Sequence, residues 1–229
     1  MSNSRAENFF GLLATTLRFG LTVLTALILT LQANGYIIDF KNFTLEKSSL
    51  IAIKFDDLPD LVQVDNQPLV VERNQVIEQI NPGQHDLIFS KEGYYDWYNS
   101  FRVEPGQAEH YEDVKLFLQE PILVNRQSVT APPLPQASPD ILVLGSELWL
   151  RLPDQLKLIT RYSQSIKQAQ VFDTDYVIVV VDNLIRVISI DGSNDTVIFK
   201  MDNLKGIKVV NDKQISLVFA DKIETYKIR

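Results

Sequence analysis

Two histidines, His85 and His110, are the chain's only imidazoles, and there is no cysteine among its 229 residues. The missing thiols exclude disulfides, thiolate metal sites and cysteine nucleophiles, and lean toward a bacterial origin. His85 stands on an alternating polar–apolar run. His110, in Glu109-His110-Tyr111-Glu112-Asp113, has three acids beside it, which a metal site would use; the plainer reading is a solvated strand start. Asp173-Thr174-Asp175 and Asp191-Gly192-Ser193-Asn194-Asp195 space oxygen ligands as calcium loops do, yet the twelve-residue pattern with its closing Glu is absent and turn chemistry accounts for both. Asp56-Asp57 and Asp60 read as a polar loop rather than a catalytic carboxylate pair. A phosphate-cradling glycine loop, a G-x-S-x-G elbow and an H-E-x-x-H pair are all missing from the sequence. No enzyme activity, cofactor or metal is expected.

The one dense aromatic group is Tyr94, Tyr95, Trp97 and Tyr98. Amphipathic rings of this kind close the end of a β-sandwich, and that packing role is the first reading. The sharper one is a ligand surface on which sugars stack, and it requires two rings exposed on one face.

The elements that would position these residues are mostly strands. Short alternating runs cover Leu50–Phe55, Leu61–Asp65, Val76–Ile80, His85–Ser90, Tyr94–Tyr98, Phe101–Val103 and Val114–Leu118, with turns at Asp65-Asn66-Gln67-Pro68, Asn81-Pro82-Gly83, Lys91-Glu92-Gly93 and Glu104-Pro105-Gly106-Gln107. Asn81-Pro82-Gly83-Gln84-His85-Asp86-Leu87-Ile88-Phe89, then Lys91-Glu92-Gly93-Tyr94, then Val103-Glu104-Pro105-Gly106-Gln107, resemble the PEGA domain. Asp60 to Asp65, after Pro59, resembles that family's opening segment, although Leu58-Pro59-Asp60-Leu61 stands in place of the Pro-Glu-Gly-Ala signature. The resemblance covers about residues 48–120. It implies a β-sandwich used as a surface or adhesion-like module, and it names no substrate.

Upstream, Phe9 to Leu31 is apolar except for Arg18, and at about 1.5 Å per residue it exceeds a hydrocarbon core of about 30 Å. Arg18 at mid-bilayer costs about 2.5–3.5 kcal/mol. A span running from Phe19 to Ile38 avoids this, with Arg18 snorkelling at the cytoplasmic edge and Tyr36 at the far interface as the two anchoring residues. Leu31-Gln32-Ala33 is a poor cleavage site for a signal peptide. The charge bias across the span puts the N-terminus in the cytoplasm and the rest outside.

Pro121 to Pro139 contains Pro132-Pro133-Leu134-Pro135 and reads as an extended spacer. Beyond it a pattern recurs: Val177–Ile190 aligns without a gap on Ile215–Ile228, 38 residues later, and Leu142–Leu150 precedes the first by 37. Each copy is a hairpin with a two-residue polar turn. Ile166–Phe172 and Ile207–Val210 read as preceding strands; Leu156–Thr160 and Thr196–Lys200 read as following ones. Four strands per ~40 residues is the period of a β-propeller blade, but a closed ring typically needs four to eight. The terminal strand Ile223–Ile228 is expected at an open edge.

The expected fold is therefore mainly β: a transmembrane helix within residues 1–38, a PEGA-like β-sandwich over 45–120, a proline-rich linker over 121–138 and a propeller-like, incomplete hairpin module over 139–229. The expected function is that of a single-pass bacterial cell-surface protein whose non-catalytic modules bind a partner or organise the envelope. The alternatives are a subunit of an oligomeric envelope or sensory assembly, and, further off, a hydrolase. The helix meets membrane lipid, the partner is a protein or carbohydrate surface, and a homo-oligomer is open. A net charge of -7 disfavours nucleic acid.

Overall fold

The computed structural model describes residues 3–39, 44–55, 57–112, 114–133 and 138–229. Helix α1 (Asn3–Ala33) opens the chain. It has no proline, and the hydroxyls of Thr22, Thr25 and Thr30 donate to the carbonyls of Arg18, Leu21 and Ala26, so they expose no free donor to an apolar surrounding. Gly35, at φ 78°, ends it: its N–H donates to the Gln32 carbonyl in the left-handed geometry that suits glycine. The helix thus stops at Ala33, short of the expected Ile38, because Tyr36-Ile37-Ile38 goes into a strand instead.

That strand is β1 (Tyr36–Asp39), antiparallel to β2 (Thr44–Lys47). Then follow β3 (Ser49–Lys54), β4 (Leu61–Val64), β5 (Gln67–Pro68), β6 (Gln75–Ile80), β7 (Gly83–Ser90), β8 (Trp97–Val103) and β9 (Ala108–Tyr111). They form two sheets, β6-β3-β9 and β5-β4-β7-β8, with β3 and β9 parallel. The strand after β9 expected over Val114–Leu118 is an extended segment with a single bridge, Leu118 to Tyr94.

Next comes β10 (Ile122–Ser128), inside the stretch expected as a linker. The remainder is β11 (Ile141–Leu144), β12 (Glu147–Arg151), β13 (Leu156–Arg161), β14 (Ile166–Val171), β15 (Tyr176–Val181), β16 (Leu184–Ser189), β17 (Thr196–Lys200), β18 (Gly206–Asn211), β19 (Gln214–Val218) and β20 (Lys222–Lys227). They form sheets β11-β12-β13, β14-β15-β16-β17 and β10-β20-β19-β18, antiparallel throughout. The repeated hairpins are β11–β12, β15–β16 and β19–β20. The fourth strand of the last sheet is supplied by β10 from upstream, so β20 lies inside its sheet, not at the expected edge.

The chain divides into two compact units. One comprises Met1–Ile53, Gln75–His85 and Arg102–Tyr111; the other comprises Lys54–Asn74, Asp86–Phe101 and Glu112–Arg229. The expected 45–120 module contributes residues to both. In the first, Ser48 ties the helix exit to the sheet: its N–H and hydroxyl both donate to the Gly35 carbonyl, at 2.6 and 2.8 Å, and its oxygen accepts from the Gln79 amide.

In the second unit, every residue of β15 is buried, which is why it is an unbroken Tyr-Val-Ile-Val-Val-Val run rather than an alternating one. Its two faces feed two cores. Val177, Val179 and Val181 pack with Ile141, Leu148 and Ile159 of the preceding sheet. Tyr176, Ile178 and Val180 pack with Ile207, Ile215, Leu217 and Ile228 on the other side. The β14–β17 sheet is therefore the middle layer of three. Burial of each such aliphatic side chain stabilises the stack by about 1.5–3 kcal/mol. First strands adjoin: β14 packs beside both β11 and β18.

Candidate functional site

The four aromatic residues singled out by the sequence are divided between packing and surface. Trp97 is 8% exposed and stacks on Phe89 at 4.8 Å, with Phe55 edge-on to Phe89 at 5.1 Å. Tyr95 is half-buried against the core that contains Phe117 and Tyr176. Tyr94 is half-buried with the Lys91 ammonium 5.2 Å from its ring centre. Tyr98 alone of the four is exposed; its hydroxyl donates to Asp86 at 2.7 Å beside Ser100, and its backbone N–H donates to the Asn194 side chain at 2.8 Å. A stacking platform would thus have one exposed ring in this group.

Behind Trp97 lies a buried polar cluster that sequence reading missed. Lys115, 6% exposed, pairs with Asp173. The Tyr176 hydroxyl accepts from the Trp97 side chain and from the Lys115 N–H at 3.4 Å. Burial raises the Asp173 carboxyl, but the Lys115 ammonium and the hydroxyl and N–H of Thr174 outweigh it and hold it below the usual range. Burial also raises the Tyr176 phenol above its usual value. Lys115 and Asp173 lie 58 residues apart, so no local spacing signals their pairing.

Several of the remaining sequence candidates are held by protein partners. His85 is buried and its Nε2–H donates to the Asn81 carbonyl at 2.7 Å. His110 is exposed on β9, opposite Ala52. Asp56 and Asp113 fall outside the described residues; Asp57 faces Arg229 at 3.5 Å, and Asp60 accepts from the Glu92 N–H at 2.8 Å. In the 191–195 loop, Asp191 accepts from the N–H and hydroxyl of Ser193, and Asp195 pairs with Arg186 at 2.7 Å. Among the described residues no group of three or more His, Asp or Glu is placed to hold a metal.

A cleft of about 490 Å³ opens in the second unit where the first strands meet, lined by Ile141, Val143, Ala169, Val180, Lys167 and Lys205 among others. A second depression of about 400 Å³ shares Lys167 and Leu204 with it and adds Asp182, Asn183 and Asp202. Lys167 lies 3.6 Å from Asp182, and Asn183 donates to Asp202 at 3.1 Å. An apolar floor rimmed by two ammonium groups and two carboxylates is suited to holding a polar ligand or an extended chain. One wall is fixed by side-chain amides: Gln168 donates to the Ile207 carbonyl at 3.0 Å and accepts from the Ile207 N–H at 2.8 Å, while Gln170 accepts from the Val209 N–H at 3.0 Å. Three backbone groups on the edge of β18 are thereby satisfied by side chains of β14 and not by a strand ladder.

Of the two residues expected to anchor a span, Arg18 is exposed on α1 and Tyr36 is half-buried in β1. Thr15–Ala33 has a mean hydropathy of 1.5, and none of it is buried among the described residues; Leu17, Phe19 and Leu21 are 74, 72 and 64% exposed. A membrane span and a signal sequence both have this length and composition. No family model matches the chain, and no curated protein matches it. The PEGA resemblance therefore rests on the quoted residues alone.

Proposed function

We propose that this is a membrane-anchored protein whose β-rich units act outside the cytoplasm through contact surfaces, without catalysis. The observation that carries the reading is the bare apolar surface of Thr15–Ala33. An isolated helix in water would leave these leucines and Phe19 uncovered, whereas lipid covers them at no cost in backbone hydrogen bonds. The finer reading is a PEGA-like sandwich followed by three blade-like sheets, the last completed by β10 in the way a ring closes with a strand from its opposite terminus. Sheet stacking, adjoining first strands and the repeat support it. The cleft at those first strands is then the partner site, for a protein or carbohydrate surface. Protease added to intact cells is expected to remove the chain beyond residue 40. Protection of the C-terminal part would overturn the orientation.

A hydrolase is the competing reading, and its support is that Asp182 and Asp202 line one depression. Both carboxylates are exposed and already engaged, by Lys167 and by Asn183. Turnover of a glycan or peptide substrate that disappears in the Asp182→Asn, Asp202→Asn variant would favour it.

A further inference from the structure

A lysine amine and an aspartate carboxyl held together away from water are the two halves of an amide. Lys115 and Asp173 are held in this way: their side chains are 6 and 18% exposed, and the ammonium pairs with Asp173 Oδ2. Lys115 lies among Tyr95, Trp97, Phe117 and Tyr176. Phe172, beside Asp173, packs 5.7 Å from Phe117. The other carboxyl oxygen is served separately. Asp173 Oδ1 accepts from the Thr174 N–H and from the Thr174 hydroxyl, the latter at 2.8 Å. One oxygen thus meets the amine while the other meets two donors, and two donors on one carboxyl oxygen are what a developing oxyanion needs.

We propose that Lys115 and Asp173 condense into an intramolecular amide, a covalent modification that ties the two segments together. The ammonium first passes one proton to Oδ2, which leaves a neutral amine in contact with a neutral acid. Burial favours this transfer, because it removes two charges from an apolar surrounding. The Nζ lone pair then forms a bond to Cγ, and the carbonyl π electrons move to Oδ1, where the two Thr174 donors stabilise the charge. A second proton passes from Nζ to Oδ2. The Cγ–Oδ2 bond breaks with its electron pair, Oδ2 departs as water, and the Oδ1 carbonyl re-forms. Ammonium and carboxylate together lose two hydrogens and one oxygen, so the balance closes without an oxidant or co-reactant. Fixed proximity replaces a chance encounter of the two groups, and the partly exposed side of Asp173 lets the water out. Until it condenses, the pair is the ion pair described above. In a chain without cysteine, the amide closes a loop between residues 58 apart and restricts the unfolded chain as a disulfide does.

The intact mass of the full-length protein purified in detergent tests the proposal. The expected mass is one water below that calculated for the recovered chain. A tryptic digest is expected to contain one branched peptide joining Lys115 to Asp173, with cleavage after Lys115 blocked. Lys115→Arg keeps the positive charge without the amine, and Asp173→Ala removes the carboxyl; each is expected at its full calculated mass. Thr174→Val removes the hydroxyl donor and keeps the N–H, and it is expected to lower the joined fraction severalfold at equal times after synthesis. A full calculated mass for the unsubstituted protein, with linear peptides ending at Lys115, overturns the proposal and leaves an ion pair. So does a water loss that maps to Asp191-Gly192 and is reversed by mild alkali, since a cyclic imide at an Asp-Gly step gives the same change in mass.

Discussion

Arg126 Nε lies 2.7 Å from Glu224 Oε1, and the two residues face each other in the register of β10 and β20. The arrangement is asymmetric: the Arg126 side chain is 58% exposed, that of Glu224 only 4%. Glu224 is also held by Lys222 at 2.8 Å and by the Tyr226 hydroxyl at 3.0 Å. Arg126→Ala should therefore cost little, at most about 1 kcal/mol, because an exposed cation is well screened. Glu224→Ala should cost about 1–3 kcal/mol, since it leaves Tyr226 and Lys222 without their acceptor. Thermal unfolding of the two variants checks the order; equal losses would show that Glu224 depends on Arg126 alone.

Acid should weaken the second unit. Burial raises the Glu224 and Asp173 carboxyls, but Lys222, Tyr226 and Arg126 around the first, and Lys115 and Thr174 around the second, hold both below the ordinary 4.5 and 3.8. Depressed carboxyls contribute stability that is present above the unfolded-state values and is lost as pH falls through the folded-state ones. Urea midpoints should stay level from pH 7 to about pH 5, drop below about pH 4, and drop less in Asp173→Asn.

The opposite limb belongs to tyrosines. Burial raises the phenols of Tyr162 and Tyr176 above 10.0, so the folded state resists ionisation that the unfolded chain undergoes. Their contribution is complete below pH 10 and fades as pH rises above it. Phenolate absorbance in an alkaline titration should lag in the folded protein and appear together with unfolding.

The two glutamines on β14 should matter more than surface residues of their type. Removing the Gln168 amide by Gln168→Ala leaves the Ile207 N–H and carbonyl unpaired at a residue with no exposed surface, a loss of about 1–3 kcal/mol. Hydrogen exchange at the Ile207 and Val209 amides should accelerate in Gln168→Ala and Gln170→Ala respectively. Unchanged protection would mean that the sheets are held by apolar packing alone.

What the sequence makes legible here is what is periodic or local. The hairpins β15–β16 and β19–β20 are visible because a two-residue polar turn between apolar runs recurs at a fixed interval. β10 is not visible: all seven residues are exposed, so Ile122-Leu123-Val124-Asn125-Arg126-Gln127-Ser128 has no buried face to impose alternation, and the prolines on either side suggest a spacer. Glu224 looks like an edge-protecting charge for the same reason, since the strand that covers it lies about a hundred positions upstream. The helix end is also set by a long-range choice: Tyr36–Asp39 is apolar enough to continue a span, yet it pairs with Thr44–Lys47. The cleft was illegible because its lining comes from β11, β14, β15, β18 and the loop before β18, which are far apart in the chain.

Alkaline carbonate extraction of native membranes, read together with the intact mass of the protein recovered, tests the central claim most directly. The account predicts that the full-length chain stays in the pellet with α1 still attached, because Thr15–Ala33 at about 1.5 Å per residue reaches about 28 Å and is unburied among the described residues. Recovery of the β-rich part in the supernatant, at a mass that lacks α1, would contradict it and make the helix a signal sequence.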